Sequence, residues 1–186
     1  MVEEDFEYQE DKPHEECGVF GIFSNDPGLD VAQAIFLALL GLQHRGQESA
    51  GIAVTDGTRV ACHKNMGLVR SAFRAEDLRA LTGFAGVGHV RYSTSGQSSL
   101  ANAQPLVARF SRGTIALAHN GNLTNAENLL AELEMAGSVF QSTADTEVIL
   151  NLIAHYSRDT FIEALRQACA RLNGSYSLVM LTRDTL

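Results

Sequence analysis

The sequence predicts an α+β protein of stacked sheet and helix layers, with an α/β arrangement as the alternative. Three observations lead there. Strand-like segments cluster early and in the middle of the chain, helices come in adjacent pairs instead of alternating singly with strands, and Asp56-Gly57 joins two strand segments as a hairpin turn. The length of 186 residues, 45% of them hydrophobic, suffices for the core of one domain or most of one.

Residues 1–16 are polar, acidic and aperiodic, and the composition changes abruptly at Cys17-Gly-Val-Phe-Gly-Ile-Phe23, expected as the first strand. Turn chemistry from Ser24 to Gly28 precedes a helix expected from about Asp30 to Leu42, followed by the polar loop Gln43-His-Arg-Gly-Gln-Glu48. Ala50 to Thr55 and Thr58 to Lys64 are the hairpin strands, and Gly86 to Tyr92 is a further buried strand. Residues 93–105 hold almost nothing to drive them into a core and are expected as a surface loop. A strand from Thr114 to His119 ends in Asn120-Gly121-Asn122. Thr124-Asn-Ala-Glu127 then has the form of a capping box for a helix that stops before Gly137. Helices over about Asp145 to Tyr156 and Thr160 to Leu172, the second opened by the capping box Thr160-Phe-Ile-Glu163, lead to a last strand from Tyr176 to Thr182. No element follows that strand, so the domain is expected to be incomplete at its C-terminal end.

A net charge of -8 and a pI near 5.2 argue against a nucleic-acid or anionic-membrane surface and leave a small molecule as the expected partner. Cys17, Cys62 and Cys169 are widely spaced and form no CxxC pair, which fits a reducing cytosol better than a disulfide framework or a zinc knuckle. The longest apolar stretch, Val31 to Leu42, is broken by Gln33 and falls short of the roughly 20 residues a membrane helix needs. The leader lacks the apolar region of a secretory signal, and the expected location is cytoplasmic. The histidines make no i, i+4 pair, so no metal site follows from spacing, and neither a phosphate loop nor a dinucleotide fingerprint occurs.

Several residues carry chemistry. Cys17 alone suits a buried structural role as well as a reactive one, but it stands where leader gives way to fold. Cleavage of the Glu16-Cys17 bond would give it an α-amino group of ordinary pKa about 7.7–8.0, able to act as general base for a thiol of about 8.5. Asn120 and Gly121 bring a side-chain amide and an unobstructed backbone N–H together, the makeup of an oxyanion hole, although an Asn-Gly turn has the same letters. Arg91 ends an apolar strand and suits either a substrate carboxylate or a structural ion pair. Asp145 suits either a substrate ammonium or a helix cap, and Arg45 sits in the loop after the first helix. His89 and His119 are expected as strand-end histidines satisfied by hydrogen bonds.

Cys17-Gly-Val-Phe-Gly-Ile-Phe23, Leu42-Gln-His-Arg-Gly-Gln-Glu-Ser-Ala-Gly51, Gly88-His-Val-Arg-Tyr-Ser-Thr94, Leu117-Ala-His-Asn-Gly-Asn122 and Thr143-Ala-Asp-Thr-Glu147 together resemble the class II glutamine amidotransferase domain, a member of the N-terminal-nucleophile hydrolases. The resemblance runs from Cys17 to about Leu186 with the five motifs in the family's order. It implies a four-layer αββα sandwich, residues 1–16 as a propeptide and residues 17–186 as an incomplete glutaminase domain. Cys17 would be the nucleophile and Asn120 with Gly121 the oxyanion hole. Arg91 would hold the glutamine α-carboxylate and Asp145 its α-ammonium, with Thr94 beside the substrate and Arg45 in the loop that closes over it. Gln-His-Arg-Gly-Gln at 43–47 and His-Val-Arg-Tyr-Ser-Thr at 89–94 are similar to the members that carry a C-terminal phosphoribosyltransferase domain. They differ from the sugar-phosphate amidotransferases and the asparagine synthetases. The resemblance therefore implies ammonia delivery to phosphoribosyl pyrophosphate and Mg2+ in a domain absent from this chain, in a full-length enzyme that is a homo-oligomer. No cofactor is implied for this segment, and the cysteine ligands of the iron-sulfur cluster that some relatives carry would lie beyond Leu186. Another acceptor domain, or a non-catalytic binding domain, are the alternatives.

Overall fold

The computed structural model describes residues 17–92, 98–158 and 160–186, and in it hydrophobic alternation sorts the chain into two antiparallel sheets. The first contains β1 (Gly18–Phe23), β2 (Ser49–Thr55), β3 (Val60–Met66) and β4 (Ala85–Arg91) in the order β1-β4-β2-β3. The second contains β5 (Leu106–Phe110), β6 (Gly113–Leu123) and β7 (Gly174–Leu181) in that order. Helices α1 (Val31–Gly41), α2 (Val69–Ala72) and α3 (Ala75–Ala80) lie with the first sheet, and α4 (Ala126–Met135), α5 (Asp145–His155) and α6 (Phe161–Cys169) with the second.

Side-chain alternation explains the layering. Along β2, Ala50, Ile52 and Val54 pack under Ile35 and Leu39 of α1, while Ala53 faces the other way. Ala53, Ala85 and Val87 meet Ala116, Ala118 and Leu181 of the second sheet. On the far side of that sheet, Ile115 and Leu117 pack with Ile149, Leu152 and Ile153 of α5. Three separate apolar interfaces make a four-layer αββα sandwich, the fold of the N-terminal-nucleophile hydrolases. All seven residues of β2 and all seven of β4 are buried, which is why both read as nearly continuous apolar runs. Small residues let the layers approach: a Cβ on Gly88 would sit 2.3 Å from Ile35.

Asp30 caps α1 through Gln33 N at 2.9 Å, and Thr160 caps α6 through Glu163 N at 3.1 Å, as their residue types lead one to expect. The Thr124 box does not form. Asn125 is the N-cap of α4 without a side-chain capping bond, its Oδ1 accepting instead from Asn173 N at 3.0 Å, and Thr124 Oγ1 donates to Asn173 O at 3.2 Å. β6 continues four residues past His119, so Asn120-Gly-Asn122 lies within a strand, paired with β7, and not after it. The expected surface loop is turned inward over its second half. Asn102, Ala103 and Gln104 are 1%, 0% and 5% exposed. Their polar groups are met locally: Asn102 exchanges bonds with Thr143 at 2.8 and 3.0 Å, and Lys64 Nζ donates to Ala103 O at 2.5 Å. Among the described residues no helix is long and apolar enough to cross a membrane.

Candidate active site

Phe20 and Ile22 of β1 pack under α1 while Val19 joins the inter-sheet interface. Cys17, two residues before Val19, is therefore directed toward the second sheet, at the end of β1 beside β4. Its sulfur accepts from Tyr92 N at 3.4 Å and lies 3.4 Å from Tyr92 O. Burial pushes the Cys17 thiol up, and the bond from Tyr92 and the charge of Arg91 oppose that with less effect. A thiol so placed needs a base before it can attack. At Cys62 desolvation of the sulfur pushes the thiol to about 11, although the residue as a whole is exposed.

Arg91 shares the inner face of β4 with Val87 and His89. Its guanidinium donates to Glu48, and the two side chains are only 6% and 12% exposed. The backbone locks the same pair: Glu48 N donates to Arg91 O at 3.0 Å and Gly67 N donates to Glu48 O at 2.7 Å. The second carboxylate oxygen of Glu48 is buried without a partner among the described residues. Arg45 Nε donates to Cys17 O at 3.2 Å, which ties the polar loop to the cysteine. Gln43 Oε1 holds that loop by accepting from Val69 N at 2.7 Å.

The second sheet supplies the opposite wall. Ile115 and Leu117 of β6 face α5 and Ala116 and Ala118 face the first sheet, so alternation sends His119 toward α5 and Asn120 toward the first sheet. His119 Nδ1 lies 3.2 Å from Asp145 Oδ1 and 3.3 Å from Thr146 Oγ1, and Leu123 N donates to Asp145 Oδ2 at 3.4 Å. Asp145 is the first residue of α5 and not its cap, since Ala144 holds the cap position, and its side chain is 21% exposed. Gly121 has φ +141°, and a Cβ there would fall 2.2 Å from Ser175 O, so glycine is required by the backbone itself. The walls meet at His89, whose Nε2 donates to His119 O at 3.1 Å.

Cys17, Arg91 and Arg45 are thus together on one wall, Asn120 and Gly121 are on β6 of the other with Asp145 at the start of α5 beside His119, and Thr94 lies outside the described residues. Both histidines are well inside the sandwich, each with one bonded ring nitrogen and one buried nitrogen without a partner among the described residues. Three neighbours of the site carried no signal in the sequence reading: Glu48, Gln104, and His89 as a link between sheets. A cavity of about 680 Å³ lies elsewhere, between β5 and α5, lined by Leu106, Phe110, Glu147 and Leu150 among others.

Residues 89–186 match the family model of the glutamine amidotransferase domain, and the chain belongs to that family. The amidophosphoribosyltransferase of Methanocaldococcus jannaschii is 47% identical over 172 residues, which cover 91% of this chain and 36% of that protein. The chloroplastic amidophosphoribosyltransferase of Vigna aconitifolia is 47% identical over 177 residues, 95% of this chain and 36% of that one. A solved structure described as the allosteric regulatory enzyme of purine biosynthesis superposes with a TM-score of 0.83 at 40% identity, covering 89% of this chain and 35% of that one. The glutamine phosphoribosylpyrophosphate amidotransferase of B. subtilis, complexed with ADP and GMP, gives a TM-score of 0.78 at 39% identity over 89% of this chain and 35% of that one. The chain spans about a third of the length of these proteins.

Proposed function

We propose that this chain is the glutaminase part of an amidophosphoribosyltransferase, releasing ammonia that a phosphoribosyltransferase domain, with Mg2+, transfers to phosphoribosyl pyrophosphate in purine biosynthesis. The observation that supports the proposal is that Cys17 follows the inner-face alternation of β1 in the first sheet while Asn120 is on the face of β6 turned toward that sheet.

After the bond before Cys17 is cut, its α-amine takes the thiol proton and the sulfur attacks the carboxamide carbon of glutamine. The carbonyl π electrons move onto oxygen, where the Asn120 amide and the Gly121 N–H stabilise the charge by roughly 3 kcal/mol per donor. The intermediate collapses to a γ-glutamyl thioester as the C–N bond breaks, and the leaving ammonia takes the proton from the α-ammonium group. Water then cleaves the C–S bond, giving glutamate and the free thiol. Arg91 and Asp145 would receive the α-carboxylate and α-ammonium of glutamine, Arg91 using guanidinium N–H groups other than the one given to Glu48. The buried, raised thiol supports the need for an amine base, since His89 and His119 are committed to other bonds. Arg45, bonded to Cys17 O, and Thr94 would complete the closure over the substrate.

A glutamine-analogue electrophile and intact-mass analysis test this on the full-length protein. Labelling of Cys17 with sparing of Cys62 and Cys169, in a protein that begins at Cys17, is expected; a fully active protein retaining residues 1–16 would overturn the mechanism. Transfer of the ammonia to an acceptor other than phosphoribosyl pyrophosphate would overturn the proposed acceptor alone.

A further inference from the structure

β6 outruns its neighbour. β5 begins at Leu106, opposite Leu117, so from Ala118 onward β6 is paired with β7 on one side and, among the described residues, has no strand partner on the other. A strand edge left bare inside a protein costs several unsatisfied backbone groups. At His119 the edge is nevertheless satisfied on both counts: His119 N donates to Gln104 Oε1 at 2.7 Å, and His119 O accepts from His89 Nε2 at 3.1 Å. Both side chains are buried, Gln104 at 5% and His89 at 0% exposure. They arrive from different places, Gln104 from the turn before β5 and His89 from the first sheet.

Along a strand, successive N–H groups point to alternate sides, so the next N–H on the side of His119 is that of Gly121, the proposed oxyanion donor. We propose that His89 and Gln104 are positioning residues that together replace the missing strand beside β6 and so aim the Gly121 N–H and the Asn120 amide at the reacting carbonyl. The proposal rests on the glutaminase mechanism above. Two further observations support it. His89 keeps a buried Nδ1 without a partner among the described residues, a cost that an apolar side chain filling the same space would not carry. Gly51 of β2 provides the seat for Gln104: a Cβ at Gly51 would lie 2.2 Å from Gln104 O, so β2 gives up a side chain to let that turn lie flat on the sheet. Because His89 is two residues before Arg91 on the inner face of β4, its bond also fixes the spacing between the wall that carries Cys17 and the wall that carries the oxyanion donors.

The test uses the full-length protein with His89→Leu, His89→Gln and Gln104→Met. The first and third remove the donor or the acceptor, and the second keeps an N–H donor. In both loss variants kcat for glutamine hydrolysis is expected to fall about 10- to 100-fold, with KM within about threefold. Alkylation of Cys17 by iodoacetamide, which forms no oxyanion, is expected to stay within about twofold, and His89→Gln to recover most of kcat. Loss variants whose kcat stays within about twofold of the parent would overturn the proposal. So would a loss of kcat matched by equal losses of iodoacetamide reactivity and no rescue by Gln, the mark of general collapse. Should the parent itself hydrolyse no glutamine, the glutaminase mechanism fails while the strand-replacing pair can still be judged. The Gly121 amide should then exchange with solvent about tenfold faster in His89→Leu, and an unchanged rate would sink the pair as well.

Discussion

The two walls of the site are built on opposite principles. The wall from the first sheet is ionic and dry: Arg91 and Glu48 face each other at 6% and 12% exposure, beside a thiol that burial raises. The wall from the second sheet is made of backbone and amide dipoles around His119, with the Asp145 carboxylate beside it at 21% exposure. A buried ion pair destabilises when one partner is removed, because the remaining charge is stranded away from water. Neutral donors at an open edge carry no such liability and act on the charge that develops during reaction. Changes in the first wall should therefore register in stability as well as rate, and changes in the second in rate alone.

The largest effect tests Cys17, which lies on the first wall outside the ion pair. Cys17→Ser in the full-length protein should lower glutamate release by at least about 10⁴-fold while leaving unfolding by urea within about 1 kcal/mol of the parent. Residual activity of a few per cent would remove Cys17 from the mechanism. Glu48→Gln should separate the walls most cleanly. It removes the charge that faces the buried Arg91 guanidinium, and a loss of about 3–5 kcal/mol in urea unfolding is expected. A loss below about 1 kcal/mol would mean that the pair is solvated and the first wall no different from the second. On the opposite wall, Asn120→Ala should lower kcat about 10²- to 10³-fold, measured as glutamate release, with stability nearly unchanged. If stability falls as much as it does in Glu48→Gln, the contrast between the walls is wrong.

How much of this was legible in the sequence follows from the range of the forces involved. α1 and α5 were readable because their apolar faces recur locally, and β2 and β4 because burial on both sides makes them continuously apolar. The members of each wall that lie on motifs, Cys17, Arg91, Asn120 and Asp145, could be named singly, yet each had an equally good structural use. For Arg91 that use is real, since it is ion-paired to Glu48, 43 residues away, and nothing local announces the pairing. β5, α2 and α3 went unread because they are short, four to six residues, and carry little periodicity. Gln104 was assigned to the surface by its polar neighbourhood. What holds it inside is the free edge of β6 and the bare face of Gly51, both brought to it by tertiary folding. The Thr124 capping box failed for a similar reason, because Asn173 offers a carbonyl that local sequence cannot foresee.

Gly51→Ala probes that seat. The added methyl meets the carbonyl of Gln104 at 2.2 Å, a backbone atom with no rotamer to change, so β2 and the turn must part. A destabilisation of about 1–3 kcal/mol is expected by urea unfolding. A loss of kcat larger than the small change in KM should accompany it, because the displaced Gln104 holds the second wall. An alanine variant as stable and active as the parent would show that the turn does not rest on β2.

The smallest effect tests the one bond where the walls join. His89 is fully buried, and desolvation holds its imidazole neutral by lowering its pKa to about 3, against about 6.5 for a solvated histidine. Between those values the unfolded chain binds a proton that the folded chain refuses, so stability rises with pH through that window. Acidification below about pH 6.5 then costs up to about 1.4 kcal/mol per pH unit, and above pH 7 the group contributes no slope. The depressed carboxylates lose stability only as they protonate at lower pH, Glu163 for instance being held near 2 by Arg166 and Gln167, which leaves pH 5 to 6.5 to His89. Urea unfolding of the parent and of His89→Gln at pH 5 and pH 7 isolates the contribution. The parent should lose about 1–2 kcal/mol more than the variant on going to pH 5, since glutamine keeps a donor but takes up no proton. Equal losses would mean that His89 reaches water, and a hydrated His89 could not hold the second wall against the first.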